Sequence, residues 1–207
     1  MGEWDIPRNP SGLVTVSMPT LVLRPDAALT HEEIFEIVSL LNYVWPKGDA
    51  TVLELVKAFP DAQRYRRVSV PGSGQPAIRH LIRDREELIA HALSFERTVI
   101  SENGQLPVMA LSGVCITPSR RGQGLGREVA RSAFTRVDEG EFPVALFQTG
   151  VPAFYRDLGA EVISTRFFDT RNRIAPHASP WNDEWIMIYP GGHDWPQGAV
   201  DLNGPGY

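Results

Sequence analysis

A single cysteine, Cys115, in 207 residues excludes an intrachain disulfide and a Cys-based zinc site. It suits a reducing compartment, so cytoplasmic residence is the default expectation and no metal is expected. No stretch approaches the roughly 18 continuous apolar residues that a membrane span requires. The N-terminus, Met1-Gly2-Glu3-Trp4-Asp5-Ile6, has neither a basic region nor an apolar run, and Ile6 stands where a myristoylation signal wants Ser or Thr. Positive charge is also short. A net charge of -5 with no region rich in Lys and Arg argues against a nucleic-acid binder held by phosphate attraction and favours a cationic partner. What is present is an apolar content of 43%, enough for a sizeable core in a chain whose length fits one domain, residues 1–207.

Residues 1–29 are rich in Pro and Gly and read as an irregular lead-in, with a strand at Leu21-Val22-Leu23. Thr30 followed by Glu33 has capping-box spacing, and Ile34, Ile37, Val38 and Leu41 recur at helical intervals, which predicts a helix to about Tyr43. Thr51 and Glu54 repeat the start signal for a second helix that Pro60 is expected to end. From Ala77 the chain reads as strands: 78–82, 88–101, a turn at Glu102-Asn103-Gly104-Gln105, and 108–116. A helical stripe of Leu125, Val129, Ala130, Ala133 and Val137 follows, then a short strand at 144–147, a short helix at 151–158, and strands at 161–168 and 184–189. Residues 169–183 and the tail 190–207 read as loops, the tail packing near the substrate mouth. The order is a mixed α/β layout.

The chemistry concentrates in the run from Ser112 to Arg127, a strand that breaks at Pro118, turns through glycines and launches a helix. A helix N-terminus offers unpaired N–H groups and a partial positive charge, so an anion there is hydrogen-bonded and stabilised at once. Glycines at 122, 124 and 126 clear Cβ atoms from its approach, and Arg120, Arg121 and Arg127 add charge. The spacing is not that of a dinucleotide fold, and no Gly-Lys-Ser/Thr follows as in a P-loop.

Arg121-Gly122-Gln123-Gly124-Leu125-Gly126 matches the Arg/Gln-x-x-Gly-x-Gly/Ala signature of the GNAT acetyltransferases, and it follows a strand ending Val-Cys-Ile-Thr-Pro as that signature does. The chain resembles this superfamily over about Ile78 to Tyr189. The resemblance implies an α/β GNAT fold, a central mixed, mostly antiparallel sheet with a splayed central strand pair and helices on both faces. It implies acetyl-CoA as cosubstrate, with Val114, Cys115 and Ile116 along the pantetheine arm and Arg121, Gly122, Gln123, Gly124, Leu125, Gly126 and Arg127 around the pyrophosphate. Val151-Pro-Ala-Phe-Tyr-Arg-Asp-Leu-Gly-Ala160 is similar to the family's later motif and puts Tyr155 where many members have the acid that protonates the leaving thiolate. Cys115 reads as a small buried residue, not a nucleophile.

Ile89-Ala-His-Ala92 and Asp194-Trp195 give a weaker resemblance to aminoglycoside N-acetyltransferases acting on the 2-prime amine, where a glutamate precedes the Gly-Val of the fourth strand; Ser112 stands there in this chain. Ser112 and Glu96 complete the candidate catalytic set with Tyr155. Glu96 and His91 are at odd spacing on one strand and point to opposite faces; His91 and His80 read as structural. The expected reaction is direct acetyl transfer to a small-molecule amine, aminoglycoside- or polyamine-like. A protein N-terminal or lysine acetyltransferase and a non-catalytic acyl-CoA sensor stay open, as do monomer and homodimer. The resemblance implies that a backbone N–H on the splayed strand, that of Val114, receives the acyl oxygen.

Overall fold

The computed structural model describes residues 18–66 and 74–207, with backbone alone for 61–66. The strand expected at Leu21–Leu23 is β1, Thr20–Pro25, and the remainder of the lead-in before Met18 lies outside the described residues. The first helix, α1, spans His31–Val44. Its capping box closes as the spacing predicts, Thr30 Oγ1 accepting from Glu33 N–H and Glu33 Oε2 from Thr30 N–H. The second, α2, spans Val52–Arg66 and passes through Pro60 instead of ending there. A proline inside a helix forfeits one hydrogen bond and strains the turn before it. The helix formers Ala62, Gln63 and Arg64 on its far side keep the segment helical.

Three long antiparallel strands follow: β2 Ile78–Asp84, β3 Glu87–Ser101 and β4 Gly104–Ile116. The β3–β4 turn is tighter than the sequence suggests. It comprises only Glu102 and Asn103, and Gly104, at φ +105°, already opens β4 opposite Ser101, four residues before the expected start. Then come α3 Leu125–Asp138, β5 Ala145–Thr149 and α4 Pro152–Arg156.

The strand expected over 161–168 is two: β6 Glu161–Val162 pairs with β8 Trp185–Tyr189, whereas β7 Arg166–Phe168 pairs with β9 Ala199–Asp201 in the tail read as loop. Between them the chain changes partners, and Thr165 Oγ1 accepts the indole N–H of Trp195 at 2.9 Å. The sheet runs β1-β2-β3-β4-β5-β8-β6, with β9 also joining β3. Among its described pairings only β4–β5 and β7–β9 are parallel.

Helices cover both faces. The neighbours Leu81 and Ile82 belong to different apolar clusters, Leu81 with Ile37 and Leu40 of α1, Ile82 with Val129, Ala133 and Phe134 of α3. Likewise Phe147 packs under α3 while Leu146 meets Trp195, Val200, Leu202 and Tyr207, so the tail lies on the face away from α3.

His80 is clamped beneath α3, its Nδ1 with Ser132 Oγ at 2.8 Å and its Nε2 with Ser94 Oγ at 2.9 Å. Burial, aided by the Arg136 charge, lowers its pKa to about 3. The unfolded chain takes up a proton below about 6.5 while the folded one does not until far lower, so this contribution is present above 6.5 and is lost as pH falls towards 3. Between pH 7 and 5 the loss is about 2 kcal/mol. Urea unfolding of His80→Gln should lack this increment; an equal loss in both proteins would overturn the assignment.

Candidate active site

Three elements meet where β4 ends. Its ladder to β3 pairs Ser112 with Leu93 and Cys115 with His91, so Gly113 and Val114 stand together opposite Ala92 alone. This bulge shifts the alternation by one residue. Met109 and Leu111 before it and Val114 and Ile116 after it all pack on the α3 cluster, where an unbroken strand would have placed Cys115. Gly113 permits it, with φ at +62°, and a Cβ there would be tight, 3.3 Å from His91 Cε1 and 3.5 Å from Leu41 Cδ2. On its other edge β4 pairs with β5 only at Met109–Ala145 and Ala110–Leu146. From Leu111 onward the two strands part, and the edge of β4 towards β5 has no strand partner among the described residues. Such an edge accepts an extended, amide-bearing ligand.

Beyond Thr117 the chain makes one tight turn, Pro118–Arg120, and passes through the exposed residues Arg121, Gly122, Gln123 and Gly124 into α3. Gly124, left-handed at φ 83°, is the N-cap of α3 and provides no side-chain hydrogen bond, so the first N–H groups of a fourteen-residue helix are left to an outside acceptor. Nothing lies within 4 Å of the Cβ positions of Gly122 or Gly124, so the turn is open to a bulky anion. Gly126 is needed for packing instead, since a Cβ there would be 3.0 Å from Ile116 Cδ1 and 3.6 Å from Phe154 Cζ. That contact joins the end of β4, the first turn of α3, and α4. Buried Leu125 anchors the turn, and Arg127 Nη1 reaches the carbonyl of Asp157 at 3.4 Å. Arg120, expected to add charge to the cradle, is held in an ion pair by Asp84 at the end of β2.

Tyr155 of α4 lies against Phe147 and Phe154, with ring centroids 4.7 and 4.8 Å apart. Its hydroxyl makes no hydrogen bond among the described residues, and burial raises its pKa above the ordinary tyrosine value, so it keeps its proton across the physiological range. Burial also pushes the Cys115 thiol up to about 12, which leaves it a poor nucleophile.

The structure thus brings together Val114, Cys115, Ile116, the turn from Arg121 to Arg127, and Tyr155, with Ser112 immediately before the bulge. Glu96 is set apart. It pairs with Met109, five residues along β3 from His91, a separation of about 17 Å. Its buried carboxylate oxygens have no hydrogen-bond partner among the described residues. Sequence reasoning missed the bulge, although an isolated glycine inside a strand pattern is its signal. It also missed Gln148, for which no signal exists. Gln148 Oε1 accepts the N–H groups of Asn182 and Asp183, both at 2.8 Å, and its Nε2 donates to the carbonyl of Tyr207 at 2.9 Å. Tyr207 in turn donates its hydroxyl to Leu146 O at 3.0 Å. Loop 169–183 and the tail are thereby tied to β5 where it leaves β4.

No curated protein matches the sequence. Solved structures do match in fold. The chain superposes on a GNAT family acetyltransferase from Brucella melitensis, in complex with acetyl-CoA, with a TM-score of 0.54 at 13% identity, covering 87% of this chain and 94% of that one. YhbS from Escherichia coli, a GNAT family N-acetyltransferase in complex with CoA, gives 0.54 at 16%, covering 87% and 88%. A GCN5-related N-acetyltransferase from Kribbella flavida gives 0.52 at 18%, covering 70% of this chain; the chain spans only a third of that longer protein, 33%. These likenesses speak for the fold.

In sequence, a family model described as an acetyltransferase (GNAT) domain matches residues 27–163. The match begins before α1, well upstream of the stretch that carries the sequence motifs, and it takes in the bulge, the glycine turn and α4. With more than half of its length under that model, the chain belongs to the GNAT acetyltransferase family.

Proposed function

We propose that the protein transfers the acetyl group of acetyl-CoA directly to the nitrogen of a small-molecule amine. As a GNAT N-acetyltransferase it uses acetyl-CoA as cosubstrate. The observation that carries the reading is the juxtaposition of a β4 edge with no strand partner among the described residues, an open N-terminus on α3, and α4, whose Phe154 lies against Gly126 at that N-terminus and whose proton-bearing Tyr155 shares one apolar cluster with Val114 and Ile116. The first N–H groups of α3 take the pyrophosphate, with Arg121 and Arg127 as supporting charges. The pantetheine amides pair with β4 around Val114, Cys115 and Ile116, and the Val114 N–H at the bulge orients the acyl oxygen. As the N–C bond forms and the C–S bond breaks, Tyr155 gives its proton to the sulfur and regains one through solvent as the amine nitrogen loses its own.

No histidine at the site is free to act as base. Both nitrogens of His80 and of His91 are engaged and buried. Glu96 is at the far end of β3. On this reading the acceptor enters as a free amine, and kcat/KM rises with pH towards the amine's own pKa.

Exposed Asp183 and Glu184 border the end of β5, where they suit a cationic, aminoglycoside- or polyamine-like acceptor. Gln148 and Tyr207 tie loop 169–183 and the tail to β5, and on this reading they take up space that an extended peptide acceptor would need. CoA-thiol release across amines, aminoglycosides, polyamines and peptide N-termini, with calorimetry of acetyl-CoA binding, tests the reading. Turnover of a small amine is expected. Turnover confined to peptides would move the acceptor class, and binding without any turnover would make the domain an acyl-CoA sensor.

A further inference from the structure

The bulge that aims the Val114 N–H is held from one side by a buried polar chain that the reaction chemistry does not itself require. His91 Nδ1 lies 2.7 Å from the carbonyl oxygen of Gly113, the bulged residue. On the other side of the ring, Arg79 Nη1 lies 2.9 Å from His91 Nε2, and Arg79 Nε is paired with Asp26 at 2.8 Å. His91 is fully buried, Arg79 is 1% exposed and Asp26 7%. Phe59 of α2 covers the guanidinium, whose carbon is 5.1 Å from the ring centroid.

The donors and acceptors of this chain admit one arrangement. A carbonyl only accepts, so Nδ1 carries the ring proton; a guanidinium only donates, so Nε2 presents its lone pair. The ring is locked in one tautomer and one orientation, and its N–H points at the one carbonyl whose peptide plane includes the Val114 N–H. Gly113 C=O and Val114 N–H belong to the same rigid peptide unit, so fixing the oxygen fixes the direction of the hydrogen on the other side. The ring also fills the space where a side chain on Gly113 would go, 3.3 Å from its Cβ position.

We propose that His91 is a positioning residue for acetyl transfer: it orients the Gly113–Val114 peptide, and with it the N–H that receives the acyl oxygen. Asp26 and Arg79 hold the ring in turn. This rests on the reading of Val114 given above. A residue of this kind acts on the transition state through another group, so its loss should appear in kcat and not in cosubstrate affinity. A residue that merely packed would, when replaced by a ring of the same size, change neither quantity selectively.

The test compares His91→Phe, which keeps a ring and loses the N–H, with His91→Asn, whose amide N–H falls near the position of Nδ1 and restores the bond to Gly113 without the one to Arg79. Circular dichroism and thermal melting establish that each is folded. In wild type, acetyl-CoA binding by calorimetry and turnover of the best amine come first. Absence of both would defeat the functional reading itself, and this proposal with it.

Given both, His91→Phe should bind acetyl-CoA within about threefold of wild type and lose at least tenfold in kcat, and His91→Asn should recover most of that loss. The chemical-shift change of the Val114 amide on addition of acetyl-CoA should shrink in His91→Phe and return in His91→Asn. A folded His91→Phe with unchanged kcat and an unchanged Val114 response would overturn the proposal. So would equal kcat losses in the two variants that track their losses of stability. Should His91→Phe not fold, His91→Asn alone decides: wild-type kcat and a wild-type Val114 response support the bond to Gly113, and a tenfold loss of kcat in a folded protein refutes it.

Discussion

Gly124→Asp should weaken acetyl-CoA binding at least a hundredfold while leaving the protein folded. Gly124 is the N-cap of α3, left-handed and exposed, with nothing within 4 Å of its Cβ position. An aspartate there meets no clash, and Asp is among the residues that visit the left-handed region most readily, at a cost of about 1–2 kcal/mol. Its carboxylate, however, competes for the N–H groups that would otherwise serve the pyrophosphate. It also sets a negative charge beside that anion. At about 4 Å and an effective dielectric near 20, two like charges repel by about 4 kcal/mol, nearly a thousandfold in affinity before screening by salt. Calorimetry at two salt concentrations separates the terms, because the electrostatic part shrinks with salt and the blocked N–H groups do not. Gly124→Ala, which adds bulk without charge, should lose far less. A folded Gly124→Asp protein that keeps wild-type affinity would place the pyrophosphate elsewhere.

The parts of the fold legible in the sequence are those fixed by local chemistry. Thr30 and Glu33 cap α1 because the two side chains need only each other's backbone, three residues away. The stripe from Leu125 to Val137 is one face of α3, and all five of its residues are buried. What was misread depends on distant partners. Residues 161–168 carry a continuous strand-like composition, yet the chain switches from β8 to β9 within them, and nothing local announces that Trp195 waits thirty residues on to take the hydroxyl of Thr165. Strand β9 was illegible for the same reason, being three residues long and paired with β7 and, at one position, with β3. Pro60 misled in the opposite sense, since a penalty to one turn was read as a full stop.

The candidate site divides in the same way. The glycine turn is a contiguous run whose open shape is set by its own backbone, with Gly124 left-handed at the N-cap of α3, so its sequence is nearly its description. The placement of Tyr155 is legible through its neighbours Phe154 and Leu158, which pack with it in the cluster under α3. For Glu96 the sequence yields the chemistry and the adjacent strand but not the position along it, which the register sets opposite Met109, five residues from His91. His91, on the same strand, reaches β4 at the bulge because the extra residue there changes which carbonyl faces it. Register sets that relation, and it could be read only once the partner strand was known.

Tyr155→Phe should lower kcat by a factor of about 10²–10⁴ with acetyl-CoA affinity nearly unchanged, the signature of a group used only as the C–S bond breaks. The packing argument makes this a clean test. The ring is wedged against Phe147 and Phe154 with a third contact to Phe134, and a phenylalanine keeps all three. The hydroxyl makes no hydrogen bond among the described residues, so its removal leaves no partner stranded and stability should shift by no more than about 0.5 kcal/mol. A loss of kcat therefore cannot be charged to unfolding. The pH dependence sharpens the assignment. Burial raises the tyrosine's pKa, so the acid keeps its proton as the solution becomes alkaline, and wild-type kcat should show no fall attributable to it up to about pH 10. In Tyr155→Phe the leaving thiolate has no internal proton donor, and the residual rate should depend on buffer acids added to the medium. Equal kcat in the two proteins across the whole pH range would leave Tyr155 as a packing residue, with thiolate departure unassisted.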